Sequence, residues 1–470
     1  MRRVAVVGGG ITGLAASLRL LASGEEVNIS LYEASDRLGG RVQTLRIPEL
    51  GVTVEAGPDS MLARKPAALR LIEELGMGDE VVSTRPEATK TYIVRGSELC
   101  PLPKGYLGIP HDPSCVHPPL LSEVGLRRAL EEERLPFDVP EGDMALGAFL
   151  RARLGEEWVR FIGEPLLAGI YAGDVERLSL YATWPSLVDL ARQHGSLVAA
   201  SRALARSTRQ APQASGRSAF VTVQGGLASL TDRMEARIRE SGRAEIHTRS
   251  RVTALTRRGH TYEVHVETDA GERFEERVDG VILAVPPHVA RDALRSLVAM
   301  PAVDTFYQST ATVVMVYPRD AFGAELEEAS GFLVPRPEGL TITATTWMSS
   351  KWPHVAPDSL AVIRAYVGRR GQDDALLLPD DVIAARAADE VGRLTGARGK
   401  PLWVRVTRFS EAMPNYGVGH LARVDEAEAA LRTACPAVAV AGAGWLGVGL
   451  PDCVEQGERA AMRVLAALHA

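Results

Sequence analysis

With 470 residues, 46% of them hydrophobic and 24% charged, the chain can bury a large core spread over two or three structural units. A net charge of −6 excludes the basic surface of a nucleic-acid binder, so no nucleic-acid partner is expected. The four scattered cysteines, Cys100, Cys115, Cys435 and Cys453, supply neither a disulfide framework nor a zinc site, and a reducing compartment is expected.

The first 24 residues have the basic start and apolar stretch of a secretory leader. However, a glycine cluster breaks the apolar run and Arg19 interrupts its helical face. They read instead as a strand over 2–7, a turn, and a helix over 11–24 with Leu14, Leu18 and Leu21 at helical spacing. A second strand over 27–33 completes a βαβ unit. A helix opened by Pro66 is expected over 66–80, and a hairpin turning at Gly96-Ser97 follows. Residues 110–120 are rich in Pro and His and read as loop, with helices from there to about 205. Residues 201–217 are polar and basic and read as a mobile connector.

Strand, Gly-Gly turn and amphipathic helix return after residue 220, then alternating strands over 251–287 that end in "GVILAVPP". Strands are expected over 310–317, 331–335, 340–347 and 360–367, and a helix over 380–395. The last segment, with four glycines between 437 and 450, reads as strand, turn and terminal helix. No apolar run reaches the roughly 18 residues of a membrane span.

Gly8, Gly10 and Gly13 form a Gly-x-Gly-x-x-Gly loop between strand and helix, and Glu33 follows twenty residues after Gly13. The glycines admit a tight turn, a close approach of backbone to a pyrophosphate, and close helix–strand packing. The acid accepts hydrogen bonds from a ribose and repels a 2′-phosphate. A second pair, Gly39-Gly40, then lets the chain pass close to the pyrophosphate while Arg41 offers it a cation. Clamping from two sides suits a cofactor that stays bound.

The run Glu33, Ala34, Gly39, Gly40, Arg41 resembles the motif that flavin amine oxidases carry after the ribose acid. The resemblance implies FAD, held non-covalently because no cysteine lies between Cys115 and Cys435. Ile11 and Thr12 join Gly8, Gly10 and Gly13 at the cofactor. It also implies that Gly57, Pro58, Asp59 and Ser60 form the loop beneath the flavin, and that the backbone of Val252 holds the adenine. Gly442, Val448, Gly449 and Leu450 would close over the ring from a strand end and the start of the last helix.

Within that superfamily the hairpin "TYIVRGSELCPLP" and the segments "LLAGIYAGD", "GFLVPRPEG", "SSKWP" and "AYVGR" resemble the protoporphyrinogen oxidase family. The implied activity is the oxygen-dependent, six-electron oxidation of protoporphyrinogen IX with release of hydrogen peroxide, in haem biosynthesis. The flavin carries the chemistry and no protein residue is expected to be catalytic. Arg95 would pair with a propionate, the Gly169 carbonyl would approach the macrocycle, and Leu333 and Tyr366 would sandwich it. On spacing alone, Arg95 reads more readily as a surface residue at a hairpin turn, an order that only the resemblance reverses, and Gly169 reads also as the end of a helix. Tyr366 departs from the Phe or Met expected there. Oxidation of coproporphyrinogen III, a flavin amine oxidase and a flavin-binding scaffold are the alternatives. His111, His117 and His194 read as surface residues, and no metal site is expected.

The implied fold is α/β: a discontinuous Rossmann-like FAD-binding domain (1–80, 220–297, 413–470), an α+β substrate domain (298–412) and a hairpin with a helical, membrane-docking subdomain (81–219). A cytoplasmic protein is expected. Candidate partners besides substrate and dioxygen are the cytoplasmic face of the inner membrane, the next haem-pathway enzyme and a second copy of the chain.

Overall fold

The computed structural model describes residues 2–210, 218–303, 305–323 and 328–469. Five parallel strands form one sheet in the order Ala244–His247, Val27–Tyr32, Arg2–Val7, Gly280–Leu283 and Val438–Val440. Both faces are covered, which is why the central strands are apolar without alternation. Val4 and Val6 pack under the helices Ile11–Leu21 and Leu450–His469. Ala5 and Val7 pack under the antiparallel strands Ser250–Arg258, Thr261–Thr268 and Arg273–Val278. The chain steps outward from Arg2–Val7 on one side and returns at Gly280–Leu283 on the other, so the order reverses between these two strands. A ligand crevice opens at the carboxyl ends of strands at such a point.

The first and last helices touch at Gly457, where a Cβ would lie 2.2 Å from the Thr12 carbonyl oxygen. Any side chain there pushes the helices apart.

A second sheet has seven strands in the order Trp403–Asn415, Phe306–Pro318, Leu360–Val367, Ile342–Trp347, Ala329–Leu333, Lys90–Arg95 and Glu98–Pro101. Alternation assigns its faces. Val94, Phe332, Val334, Ala365 and Val367 pack with the helix Asp380–Thr395. Ile93 and Leu333 point the other way, onto a helical unit built around Phe149, Leu150, Trp158 and Ile162. In that unit buried Glu132 pairs with Arg153 and accepts the Leu197 and Val198 N–H groups at 3.0 Å, which fixes the start of the helix Leu197–Gln210.

The structure corrects several sequence expectations. Residues 201–210 are helix rather than connector, because Ser201 is buried and its hydroxyl holds the Ile109 carbonyl at 2.8 Å. Residues 211–217 of that stretch lie outside the described residues. The helix expected over 66–80 ends at Glu74, and Gly76 turns the chain with φ 75°. The strand Trp403–Asn415, rich in Arg and Thr at a sheet edge, and the helix His420–Ala434 were not expected. That helix buries His420, Val424, Ala427 and Leu431, a stripe too polar to announce itself. The boundary expected at 412 falls inside Trp403–Asn415. Among the described residues, no helix is long and apolar enough to cross a membrane.

Candidate active site

The glycine loop lies at the switch point. A Cβ on Gly8 would meet the Ala284 carbonyl oxygen at 2.4 Å, one on Gly9 the Leu38 Cδ2 at 2.4 Å, and one on Gly13 the Gly8 carbonyl oxygen at 1.9 Å. A Cβ on Gly10 would meet nothing within 4 Å. Gly10 therefore faces the open cradle, directly before the helix Ile11–Leu21, whose first-turn N–H groups have no partner within the helix. This is the geometry of a pyrophosphate site.

Glu33 Oε2 accepts the Gly9 N–H at 2.7 Å, and Oε1 accepts the Ser35 N–H and hydroxyl at 2.8 Å. Oε1 is thereby saturated, and Oε2 has a second acceptor position left for a ribose hydroxyl. Val252 lies close by, since the Ser250 N–H donates to the Glu33 carbonyl and Val252 packs in the same core as Tyr32.

The second glycine pair has a different immediate purpose from the one expected. The Gly39 N–H donates to the Gly9 carbonyl at 2.9 Å, and a Cβ on Gly40 would lie 3.1 Å from Gly10 Cα. Gly39 and Gly40, with φ of 93° and 57°, seat one glycine loop against the other. Arg37 holds that turn by donating to the carbonyls of Leu38, Gly40 and Val42 at 2.7–3.1 Å. Arg41 reaches across to the carbonyls of Ser410 and Glu411 at 3.3 and 2.6 Å, joining the cradle to the large sheet. Its side chain is accessible, yet the protein around it lowers its pKa. A cation walled in but reachable is what an anionic cofactor requires.

The closing segment meets the first helix. Gly442 (φ 122°) lies two residues past Val438–Val440, and its N–H donates to Gln456 Oε1 at 3.2 Å. Buried Cys453 bonds the Thr12 hydroxyl, and burial pushes its thiol up to about 12, so it is an inert thiol. Val448 and Gly449 precede the last helix rather than forming its first turn, and Val448 packs on the helical unit. Asp452, in the first turn, holds Lys65 Nζ at 2.6 Å. Buried His420 donates through Nε2 to the Trp445 carbonyl at 2.7 Å, and the Trp445 indole donates to Val285, which ties the turn to the sheet.

Gly57 leaves no room for a side chain, because a Cβ would sit 2.2 Å from the Arg41 carbonyl oxygen. In the same loop Asp59 meets Lys351 Nζ at 3.0 Å, Arg364 at 3.6 Å and the Ser60 hydroxyl at 3.1 Å. Burial acts to raise the Asp59 pKa, but Lys351 and Arg364 prevail and hold the carboxyl well below the usual range. Arg364 is itself buried and donates to the carbonyls of Glu55 and Gly57 at 2.9 and 2.7 Å.

Register brings the expected substrate residues together. Ile93, Leu333, Ala344, Tyr366 and Thr312 are successive Cα partners across five strands. Leu333 and Tyr366 therefore stand about 10 Å apart with the small Ala344 between them, a gap wide enough to take the edge of a flat ring. The Thr312 hydroxyl donates to the Ala56 carbonyl at 2.9 Å, so the row ends on the loop that carries Gly57. From the opposite side comes Gly169, where a Cβ would meet only Leu333 Cδ2, at 3.5 Å. Gly169 is not the end of its helix, which runs Glu164–Tyr171 and ends before Ala172 at φ 49°.

Arg95 lies two residues beyond Ile93 on the same face. Its guanidinium stacks 3.8 Å over the Phe161 ring and stands 3.7 Å from Glu338. It is one-third exposed and held by a partner rather than free. The π-helical turn Val159–Gly163 carries Phe161 together with Arg160, 5.6 Å from the same ring. Such turns often mark functional sites. Arg37, Arg160, Lys351, Arg364 and His420 belong to the site and were missed in the sequence. Lys351, Arg364 and His420 act through contacts distant in the chain, Arg37 and Arg160 through near ones, and only Arg37, inside the second glycine motif, and Lys351, inside "SSKWP", stood in segments singled out beforehand.

The family model for flavin containing amine oxidoreductases matches residues 11–465. The chain belongs to that family. It is an FAD-dependent oxidoreductase of the porphyrinogen-oxidising type. Among its relatives is the coproporphyrinogen III oxidase of Bacillus subtilis, 35% identical over 98% of this chain and 97% of that protein. The human protoporphyrinogen oxidase is 28% identical over 99% and 98%. A solved structure from Exiguobacterium, provisionally named a protoporphyrinogen oxidase, superposes with a TM-score of 0.86 at 33% identity and covers 100% of this chain and 99% of that one.

Proposed function

We propose that the protein oxidises coproporphyrinogen III to coproporphyrin III in haem biosynthesis, removing six electrons and six protons and reducing three molecules of dioxygen to hydrogen peroxide. The observation that carries this choice is the distribution of cations at the two ends of the helix Glu164–Tyr171, whose Gly169 faces Leu333. Arg95 and Arg160 flank Phe161. Arg370 stacks 3.9 Å over the exposed Phe306, feels the nearby charge of Arg177, and donates its N–H to Ala172, just past Gly169. Two pairs of arginines match a substrate with four propionates. The naming of relatives at 31–35% identity as coproporphyrinogen III oxidases supports the same choice.

Bound FAD supplies a two-electron acceptor that dioxygen reoxidises. The protein's part is placement. Glu33, the glycine loops and Arg41 fix the dinucleotide, and Gly57–Ser60, buttressed by Arg364 and Lys351, forms the floor of the ring site. Leu333, Ala344, Tyr366 and Gly169 provide a flat apolar slot that excludes water, while the arginines set the macrocycle's orientation. No side chain in the slot is placed to act as a base, and the N–H protons leave by tautomerisation. The FAD is held non-covalently in this reading, since no cysteine lies between Cys115 and Cys435.

Protoporphyrinogen IX, with two propionates, is the second reading. Arg95 is the cation on the slot-facing side of the hairpin, and one edge anchor suffices for that substrate. Anaerobic flavin bleaching and steady-state kcat/KM on both porphyrinogens decide between them: coproporphyrinogen III is expected to lead by at least about tenfold, and the reverse order overturns the choice. No bleaching by either would leave a flavin scaffold, and bleaching by a polyamine would leave an amine oxidase.

In this reading the sequence-based domains (1–80, 81–219, 220–297, 298–412, 413–470) keep their limits, except that the hairpin joins the substrate sheet and the last boundary moves beyond Asn415. We also place the protein in the cytoplasm, docking peripherally on the inner membrane through the helical unit, where Val124 and Val139 are 65% and 47% exposed. Vesicle co-sedimentation tests the docking, and light scattering the homodimer. Co-purification with the next haem-pathway enzyme tests the handover of product.

A further inference from the structure

The loop between the hairpin and the helix Glu123–Leu130 contains a cluster that the flavin chemistry does not use. His111 Nε2, Asp112 Oδ2 and Cys115 Sγ form a triangle whose three edges are each 3.5 Å. A tetrahedral ion with bonds of about 2.0–2.3 Å to N, O and S places neighbouring donors about 3.3–3.8 Å apart. The three edges match that spacing, and since His111 Nδ1 lies at the same 3.5 Å from the sulfur, the ring has to turn to aim Nε2 at the ion.

The surroundings hold the three residues together. Asp112 Oδ1 accepts the Ser114 N–H at 2.8 Å, which leaves Oδ2 turned toward the thiol. The His111 carbonyl accepts Arg202 Nη2 at 3.0 Å, and the charge of Arg202 is engaged by Glu133. Cys115 is fixed on both sides of its peptide: its N–H donates to the Asp112 carbonyl at 3.2 Å, and its own carbonyl accepts the Lys104 N–H at 3.3 Å. Support of this kind for the donors is what a metal site requires. Cys115 is buried and Asp112 is about half exposed, so the fourth corner opens toward water.

We propose that His111, Asp112 and Cys115 bind one zinc-class divalent cation, with water as the fourth ligand. On binding, Cys115 releases its proton to solvent and donates as thiolate, so thiolate and carboxylate together neutralise the ion. The mixed S, N, O set selects zinc over magnesium or calcium. The ion would clasp the loop onto the helix Leu197–Gln210, to which Arg202 and Ser201 already bind it. A histidine that reads as a surface residue in the sequence has a side chain only 14% exposed. A second cluster, Glu263, His265 and Glu275, lacks a thiol, and Arg258 occupies Glu263. It serves as an internal control.

The test is Co2+ titration of the FAD-loaded enzyme after chelation and dialysis. One equivalent is expected to give ligand-field bands of four-coordinate intensity to the red of the flavin, displaced by Zn2+, with a Zn2+-dependent rise in Tm. Cys115→Ser and His111→Asn, with flavin content and circular dichroism unchanged, are expected to abolish the bands and weaken Zn2+ binding by about a hundredfold or more. Glu263→Gln is expected to retain them. Absence of the bands from the wild-type enzyme at one equivalent overturns the proposal whatever the variants do, and so does their persistence in Cys115→Ser.

Discussion

The hydroxyl of Tyr366 is bonded to the guanidinium of Arg364, and the same guanidinium holds the carbonyls of Glu55 and Gly57. One wall of the substrate slot and the floor of the flavin site therefore share a single buried cation. Tyr366→Phe is expected to cost about 1–2 kcal/mol in urea denaturation. Arg364→Met, which also leaves Asp59 with Lys351 alone, is expected to cost about 3–5 kcal/mol and lower the FAD content of the purified protein. An Arg364→Met variant with wild-type stability and FAD content would show that the floor stands without it.

Gly10 separates folding from cofactor binding. Its φ of −71° suits any residue and a methyl there touches no protein atom. Gly10→Ala is expected to leave the thermal stability of the apoprotein within about 0.5 kcal/mol of wild type, as for a substitution that disturbs no packing. FAD affinity, followed by flavin fluorescence, is expected to fall at least about tenfold, because the methyl enters the pyrophosphate site.

Glu338 is expected to compete with a substrate carboxylate for Arg95. Arg95→Ala is expected to raise KM for the porphyrinogen about 10–100-fold with a much smaller change in kcat, the signature of a lost ground-state contact. Glu338→Gln keeps the acceptor for the Gly96 N–H but frees the guanidinium. It is expected to lower KM about two- to fivefold, the worth of a partly exposed ion pair.

Glu55 gives the fold a pH dependence of defined sign. Burial pushes its carboxyl up to about 7, from an ordinary value of 4.5, although Leu227 N–H and Thr44 donate to it. The folded state therefore binds a proton that the unfolded chain releases. The stabilisation is full below about pH 4.5 and is lost as pH rises through about 7, a change on the order of 3 kcal/mol. Glu55→Gln is expected to match wild type in urea midpoint at pH 5 and exceed it at pH 8. Parallel midpoints across that range would remove Glu55 as the cause.

The cofactor cradle was legible in the sequence because its constraints are local. Gly8, Gly10, Gly13 and Glu33 sit in one βαβ unit, where spacing alone fixes their geometry. The reason for Gly39 and Gly40 was only half legible, since their closest contact is the first glycine loop. The slot was not legible without a family resemblance. Leu333, Ala344 and Tyr366 become neighbours only through strand register, which no single segment encodes. His420–Ala434 escaped notice because a histidine and an alanine occupy its buried stripe. His111 was noticed, but only the fold brings its ring to Cys115.

The contact between Thr12 and Gly457 has a consequence for biosynthesis. The helix Ile11–Leu21 rests on the helix Leu450–His469, far downstream in the chain, so the ribosome delivers the two halves of the cradle at widely separated times. The nascent N-terminal unit must wait with one apolar flank uncovered, the condition under which chaperones engage a chain. Flavin capture then follows the synthesis of Leu450–His469, and the arrival of that helix decides when the cradle can close.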